Sequence, residues 1–119
     1  MAALLRAGKV VLKPFGDNQR YDLVVDEDGK FIRIQCKTGR VQKGSIVFST
    51  CSTNWSTKVR RDYRGQIDLF AVYSPELDKT YLVPVDVVGL REGFLRLEAA
   101  KNGQVKGIRL AADFELKLA

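Results

Sequence analysis

Residues 16–38 read GDNQRYDLVVDEDGKFIRIQCKT, two apolar-rich runs joined by an acidic turn, and this stretch decides the fold. Asp28-Gly29 between two such runs is a strong short-range signal for a two-residue hairpin turn. That turn sets Glu27 opposite Lys30. Counting outward pairs Asp26 with Phe31, Val25 with Ile32, Val24 with Arg33, Leu23 with Ile34, Asp22 with Gln35 and Tyr21 with Cys36. Side chains alternate along a strand, so Tyr21, Leu23, Val25, Ile32, Ile34 and Cys36 share one apolar face. Asp22, Arg33, Gln35 and Lys37 share the other. A slip of one residue would turn one strand's apolar set toward the other's polar set, which supports this register. Asp22 and Gln35 are then expected directly opposite, with β-carbons ~5 Å apart and Lys37 on the diagonal. A carboxylate, an amide oxygen and an ammonium converge on one patch.

Outward from the hairpin, Ala2 to Ala7 are good helix formers with Gly8 as a stop, barely two turns, which reads as the end of a longer helix. Lys9 to Phe15 reads as a strand ending near Pro14. Thr38 to Gly44 reads as a basic loop and Ser45 to Cys51 as a strand. Ser52 to Gly65 (STNWSTKVRRDYRG) has no usable period and reads as a loop. Ile67 to Tyr73 (IDLFAVY) is apolar on both faces, the pattern of a central, doubly covered strand. Ser74 to Lys79 is a turn, and Thr80 to Val85 pairs back with Pro84 at a strand end or sheet edge. Asp86 to Gly89 is a short helical turn. Phe94 to Leu97 and Gly107 to Leu110 are short strands around an Asn102-Gly103 turn. The tail from Ala111 fits helix or strand.

The chain has 119 residues, one domain over 1–119 by length, and its 45% hydrophobic and 29% charged residues are those of a folded protein. No apolar run is long enough to span a membrane and the N-terminus lacks a signal-peptide core, so a cytoplasmic, nucleoid-associated location is expected. The chain holds 0 histidines, which excludes Ser-His-Asp and Cys-His catalysis, histidine zinc sites and histidine nucleases. Cys36 and Cys51 are too far apart for a CxxC motif and read as reduced thiols, Cys36 on the apolar face.

Net charge is +6, and residues 30–64 hold nine basic side chains against Asp62 alone, a local +8 that leaves −2 for the remainder. Such a block is the footprint of a polyanionic partner, nucleic acid before acidic membrane, or else a solubilising face. In the 52–65 stretch, Lys58, Arg60, Arg61 and Arg64 interleave with Trp55 and Tyr63. That composition suits phosphate contact plus stacking or groove insertion, while either aromatic reads as well as a core plug.

With histidine and cysteine sites excluded, Asp22, Gln35 and Lys37 are the candidate reaction centre. Hard oxygen ligands suit Mg²⁺, which needs one or two carboxylates plus substrate phosphate, and a neighbouring lysine orients water and offsets phosphate charge. Asp22, twelve residues, Gln35, one residue, Lys37 on a hairpin resembles the PD-(D/E)xK nuclease core. With the blocks GDNQRYDLVVD, IRIQCKTGR, IDLFAVY and TYLVPV, it resembles the subgroup containing the cyanobacterial group I intron homing endonuclease, where glutamine replaces the second acid. The resemblance covers about residues 2–85. It implies an α/β, restriction-endonuclease-like mixed central sheet with an N-terminal helix and few others. It implies Asp22, Gln35 and the Cys36 carbonyl as ligands of Mg²⁺ or Mn²⁺, with Lys37 positioning the water. Asn18, Arg20, Arg40 and Lys43 would border the DNA groove. Family members usually carry a glutamate on the helix before the first strand, and here no acid precedes Asp17, so weak metal binding is expected. Asp17 and Asp68 are candidate substitutes.

The leading expectation is therefore an Mg²⁺-dependent endonuclease of double-stranded DNA, of homing or junction-resolving type, working as a homodimer or higher oligomer. The alternative is a non-catalytic DNA-binding protein on the same fold. A third is a small basic protein that binds an acidic protein or RNA through a purely structural hairpin.

Overall fold

The Asp28-Gly29 turn forms with both residues at positive φ, 53° and 87°, the pair of left-handed conformations a type I′ turn requires. Asp26 Oδ1 accepts the Gly29 N–H at 2.9 Å and closes it. The computed structural model describes residues 2–16, 19–54, 56–98 and 109–117. In chain order they form α1 (Ala2–Arg6), β1 (Val10–Leu12), β2 (Leu23–Glu27), β3 (Lys30–Thr38), β4 (Arg40–Gln42), β5 (Ser45–Ser49), β6 (Cys51–Asn54), β7 (Val59–Asp62), β8 (Leu69–Ser74), β9 (Lys79–Pro84) and β10 (Glu92–Arg96). Single 3-10 turns cover Val85–Val87 and Ala111–Phe114.

The central sheet has the order β1-β2-β3-β8-β9 and is mixed, because β3 and β8 run parallel while every other pair is antiparallel. A parallel pair needs a long crossover. Here it is filled by strands rather than by a helix. Residues 39–68 hold β4 and β5, which with β10 form a second sheet in the order β10-β5-β4, and β6 and β7, which form a separate two-stranded ribbon. That is why the fold has few helices.

The apolar residues of β8 face both ways, as the unbroken run IDLFAVY predicts. Phe70 and Val72 pack with Ile46, Phe48, Tyr63, Tyr81, Val83 and Leu95 in a core between the two sheets. Ala71 faces the opposite side, where Leu4 of α1 covers Leu23, Val25 and Ile34. Leu4 is the one buried residue of this five-residue helix, so α1 is held by packing rather than by its own length. Gly39 marks where β3 passes into the second sheet. A β-carbon there would lie 2.6 Å from Ile46 Cγ2 and 2.8 Å from Val72 Cγ1, so only glycine lets the sheets approach.

Several expectations change. Lys9 to Phe15 keeps only Val10–Leu12 as a strand. Thr38 to Gly44 is not a loop but contains β4 and a turn at Lys43-Gly44, with φ 50° and 76°. Ser52 to Gly65 is not a loop either but mostly the β6–β7 ribbon. Its strands lack period-2 patterning because no residue of β7 is buried, so no face had to be apolar. Arg96 and Leu110 meet in a parallel bridge, which an antiparallel hairpin would not give, and the Asn102-Gly103 turn lies outside the described residues. The tail combines both readings, a 3-10 turn followed by Glu115 bridged to Tyr81. Pro84 ends β9, the sheet edge.

Candidate active site

The β2–β3 ladder follows the predicted register from Glu27–Lys30 to Leu23–Ile34 and stops there. The expected Asp22–Gln35 and Tyr21–Cys36 pairs do not form. Instead the Asp22 N–H donates to the Ile34 carbonyl at 2.8 Å, one residue off the ladder's register, and Asp22 Oδ2 accepts the Cys36 N–H at 2.8 Å. The carboxylate thus takes the place of a backbone acceptor. The shift at Asp22 swings Tyr21 away from the Leu23 face, and its ring packs on the core between the sheets. The pull is hydrophobic. Tyr21 buries its ring beside a larger cluster than the one its strand parity offered.

The two bonds fix what lies beside Asp22. Ile34 O and Cys36 N both point to the β2 side of β3, and in a strand one residue's N–H and C=O share a side, so the Cys36 carbonyl also projects toward Asp22. Arg33, Gln35 and Lys37 alternate onto the opposite face from Ile34, whose side chain is buried beneath α1. Lys37 Nζ lies 3.4 Å from the Cys51 carbonyl, 3.5 Å from the Tyr63 hydroxyl and 4.9 Å from the centre of the Tyr63 ring. Both cysteines are free thiols. Burial, with a further push from the Asp22 carboxylate, drives the Cys36 thiol up, which keeps it protonated and unsuited to metal ligation.

Asp68 is committed elsewhere. Its Oδ2 accepts the Arg33 N–H at 2.8 Å and Oδ1 takes Arg33 Nη2 at 3.2 Å, and these hydrogen bonds hold its carboxyl below the usual range. It does not substitute for a missing acid. Asp17 lies outside the described residues. Among the described residues no three His, Cys, Asp or Glu side chains converge in a metal-holding group.

The basic residues divide into two kinds. Arg60 and Arg61 stand on the exposed strand β7, Lys58 on its turn at φ 59°, Arg40 at the start of β4 and Lys43 at the β4–β5 turn, all open to solvent. Arg20 is engaged by the protein itself. Its guanidinium donates to Gln66 Oε1 at 2.6 Å, Ser52 Oγ at 2.7 Å, the Asp62 carbonyl at 2.8 Å and the Arg61 carbonyl at 3.3 Å, and lies 4.1 Å over the Tyr63 ring. Arg64 donates to the Val88 carbonyl at 3.1 Å. Asn18 and Trp55 lie outside the described residues. Tyr63 takes the core-plug role that its sequence context offered, 4% exposed in the inter-sheet core, whereas Gln66 and Ser52, which complete this corner, carry no sequence signal, since they meet Arg20 only across the fold. A concavity of about 920 Å³ between α1 and β8–β9 is lined by Cys36 and Lys37 but by neither Asp22 nor Gln35. Asp22 is exposed, while Gln35 and Lys37 are half-buried.

Asp22, Gln35 and Lys37 thus stand on or beside a hairpin whose second strand runs parallel to β8, with a basic ribbon in the crossover between them. The chain belongs to the PD-(D/E)XK endonuclease family, whose model matches residues 1–117. Proteins of this family generally use divalent metals. Among solved structures it is similar to a bacterial homing endonuclease, I-Ssp6803I, with 33% identity and a TM-score of 0.70 over 96% of this chain and 81% of that chain. The mixed sheet with one N-terminal helix is accordingly a restriction-endonuclease-like fold. A search of curated proteins finds no match. No helix of the described residues is long and apolar enough to cross a membrane.

Proposed function

We propose that this chain hydrolyses phosphodiester bonds of double-stranded DNA with Mg²⁺ or Mn²⁺, in the manner of a homing or junction-resolving nuclease. The observation that carries the reading is the lock between Asp22 and the Cys36 peptide, which fixes the carboxylate against the strand that also carries Gln35 and Lys37. These donors fit a hard cation. Among the described residues Asp22 bonds through Oδ2 alone, and the Gln35 amide oxygen and Cys36 carbonyl are neutral oxygens, a sparse set of the kind Mg²⁺ completes with water and substrate phosphate. When bound, the ion supplies Lewis-acid stabilisation of the phosphoryl oxygens. Lys37 donates to the attacking water and offsets negative charge on phosphorus, while the water oxygen bonds to phosphorus and the opposite P–O bond breaks to leave a phosphate and a hydroxyl end.

The ribbon supports a DNA substrate. A two-stranded β-ribbon fits the major groove, and Lys58, Arg60 and Arg61 stand exposed on it. Arg40 and Lys43 extend the basic surface onto the second sheet, with Asn18, Trp55 and Arg64 as further bordering residues. Arg20 braces the ribbon from behind. Cutting two strands calls for two sites, hence a homodimer or higher assembly. The uncovered sheet face bearing Val10, Leu12 and Phe31, 58%, 44% and 61% exposed, suits a second copy. The protein would work at the nucleoid, in the cytoplasm.

A second reading, DNA binding without cutting, is favoured by the single carboxylate among the described residues of the site. Nicking of supercoiled plasmid separates the two. The nuclease reading expects Mg²⁺-dependent nicking that Asp22→Asn and Lys37→Ala abolish; undiminished activity in both variants overturns the assignment. Salt-sensitive binding with no cutting supports the second reading instead.

A further inference from the structure

Tyr63 is not among the residues the motif singles out, yet the Arg20 and Lys37 cations both converge on it. It is 4% exposed, follows directly on β7, and stands edge-on to Phe70 at 5.7 Å and 90°. Its carbonyl accepts the Gln66 N–H at 3.0 Å and the Ile67 N–H at 3.2 Å, so the backbone around the ring is fixed as well. Onto this immobile ring come the Arg20 guanidinium at 4.1 Å and the Lys37 ammonium at 4.9 Å. Aromatic faces attract cations through their quadrupole. Arg20 is satisfied by four other acceptors. Lys37 has far less, among the described residues only the Cys51 carbonyl and the Tyr63 hydroxyl, at 3.4 and 3.5 Å. Cys51 begins one strand of the ribbon and Tyr63 follows the other.

We infer that Tyr63 is a positioning residue that holds the Lys37 ammonium toward the Gln35 face of β3 and couples it to the root of the β6–β7 ribbon. The inference rests on Lys37 acting in the proposed hydrolysis. A lysine side chain has four rotatable carbons and no fixed fork, so a free Lys37 would spend much of its time away from the attacking water. The ring and hydroxyl of Tyr63 restrict it, and a ribbon seated on DNA carries that restriction with it. Near-attack placement of this kind accounts for large rate factors, and small misplacements are costly.

The test uses the full chain with lysine labelled with ¹³C at the ε position, Lys37 being assigned by the signal lost in Lys37→Ala. A side chain held against Tyr63 loses fast motion, so ¹³C relaxation of the Lys37 ε-CH₂ signal is expected to show it more restricted than the exposed lysines in the wild type and in Tyr63→Phe, and as mobile as them in Tyr63→Leu. Plasmid nicking by Tyr63→Leu is expected to fall on the order of 10- to 100-fold in kcat with KM little changed, and Tyr63→Phe to restore most of it. A wild-type Lys37 as mobile as the exposed lysines overturns the inference without recourse to any variant. So does a Tyr63→Leu protein that melts cooperatively and keeps its kcat. If the wild type binds DNA but never cuts, the nuclease reading fails, while the NMR signal still decides whether Tyr63 holds Lys37.

Discussion

Replacing Arg20 by alanine tests whether this residue braces the ribbon or meets DNA phosphate. The guanidinium makes bonds of 2.6 and 2.7 Å to Gln66 and Ser52 in half-buried surroundings, and two bonds to the Arg61 and Asp62 carbonyls in exposed ones. The exposed carbonyls regain water when Arg20 is lost, so they contribute little. Counting about 1 kcal/mol for each half-buried bond and about 0.5–1 kcal/mol for the stacking on Tyr63 gives roughly 2–3 kcal/mol. For a domain of this size that lowers Tm by roughly 6–15 °C. Arg20→Lys keeps the charge without the planar fork, so most of the loss is expected there too. Binding should behave oppositely. The slope of log K against log salt is expected to be unchanged in Arg20→Ala but shallower by about 0.9 in Arg60→Ala, which removes one phosphate contact. Melting curves and a salt titration of binding to a DNA duplex read both quantities. An Arg20→Ala protein that melts with the wild type and loses a unit of salt slope would refute the bracing role.

Gly39→Ala places a methyl group 2.6 Å from Ile46 Cγ2, and the expected cost is about 1–3 kcal/mol in urea denaturation, since side chains from both sheets must shift. Asp68 is held below its ordinary pKa by Arg33, so its contribution to stability is full above the unfolded value of about 3.9 and disappears as pH falls through the lower folded value. The stability gap between wild type and Asp68→Asn should therefore shrink on acidification below about pH 4, and a gap constant from pH 7 to 3 would contradict the pair. Asp22→Asn keeps an acceptor for the Cys36 N–H and should unfold close to wild type, whereas Asp22→Ala should cost about 0.5–1.5 kcal/mol, the low end because the bond is exposed. Both variants should lose cutting, and equal urea midpoints for the two would argue against the Asp22–Cys36 lock.

The hairpin was legible from its turn as far as the Leu23–Ile34 pair. Asp28-Gly29 and the alternation on either side determine five ladder pairs from Glu27–Lys30 to Leu23–Ile34, because the side-chain period and the turn chemistry are both local. The apolar run IDLFAVY likewise marks a strand buried on two faces, and β8 occupies that place. Lys37 and Gln35 share a strand face for the same local reason.

What the tertiary structure alone decided lies where non-local packing outweighs strand parity. Asp22 leaves the ladder to cap the Cys36 peptide with its carboxylate, and Tyr21 turns over to reach the inter-sheet core, neither of which a pairing rule contains. The ribbon strand β7 carries no period because none of its residues is buried, so it shows up only when paired. Arg20 and Lys37 meet on Tyr63 across separations of 43 and 26 residues, contacts that depend on the crossover between two parallel strands. Sequence determined which residues could do the chemistry, since side-chain type and local period are written in it; only the folded chain decided which groups hold them in place, since that is set by elements distant in sequence.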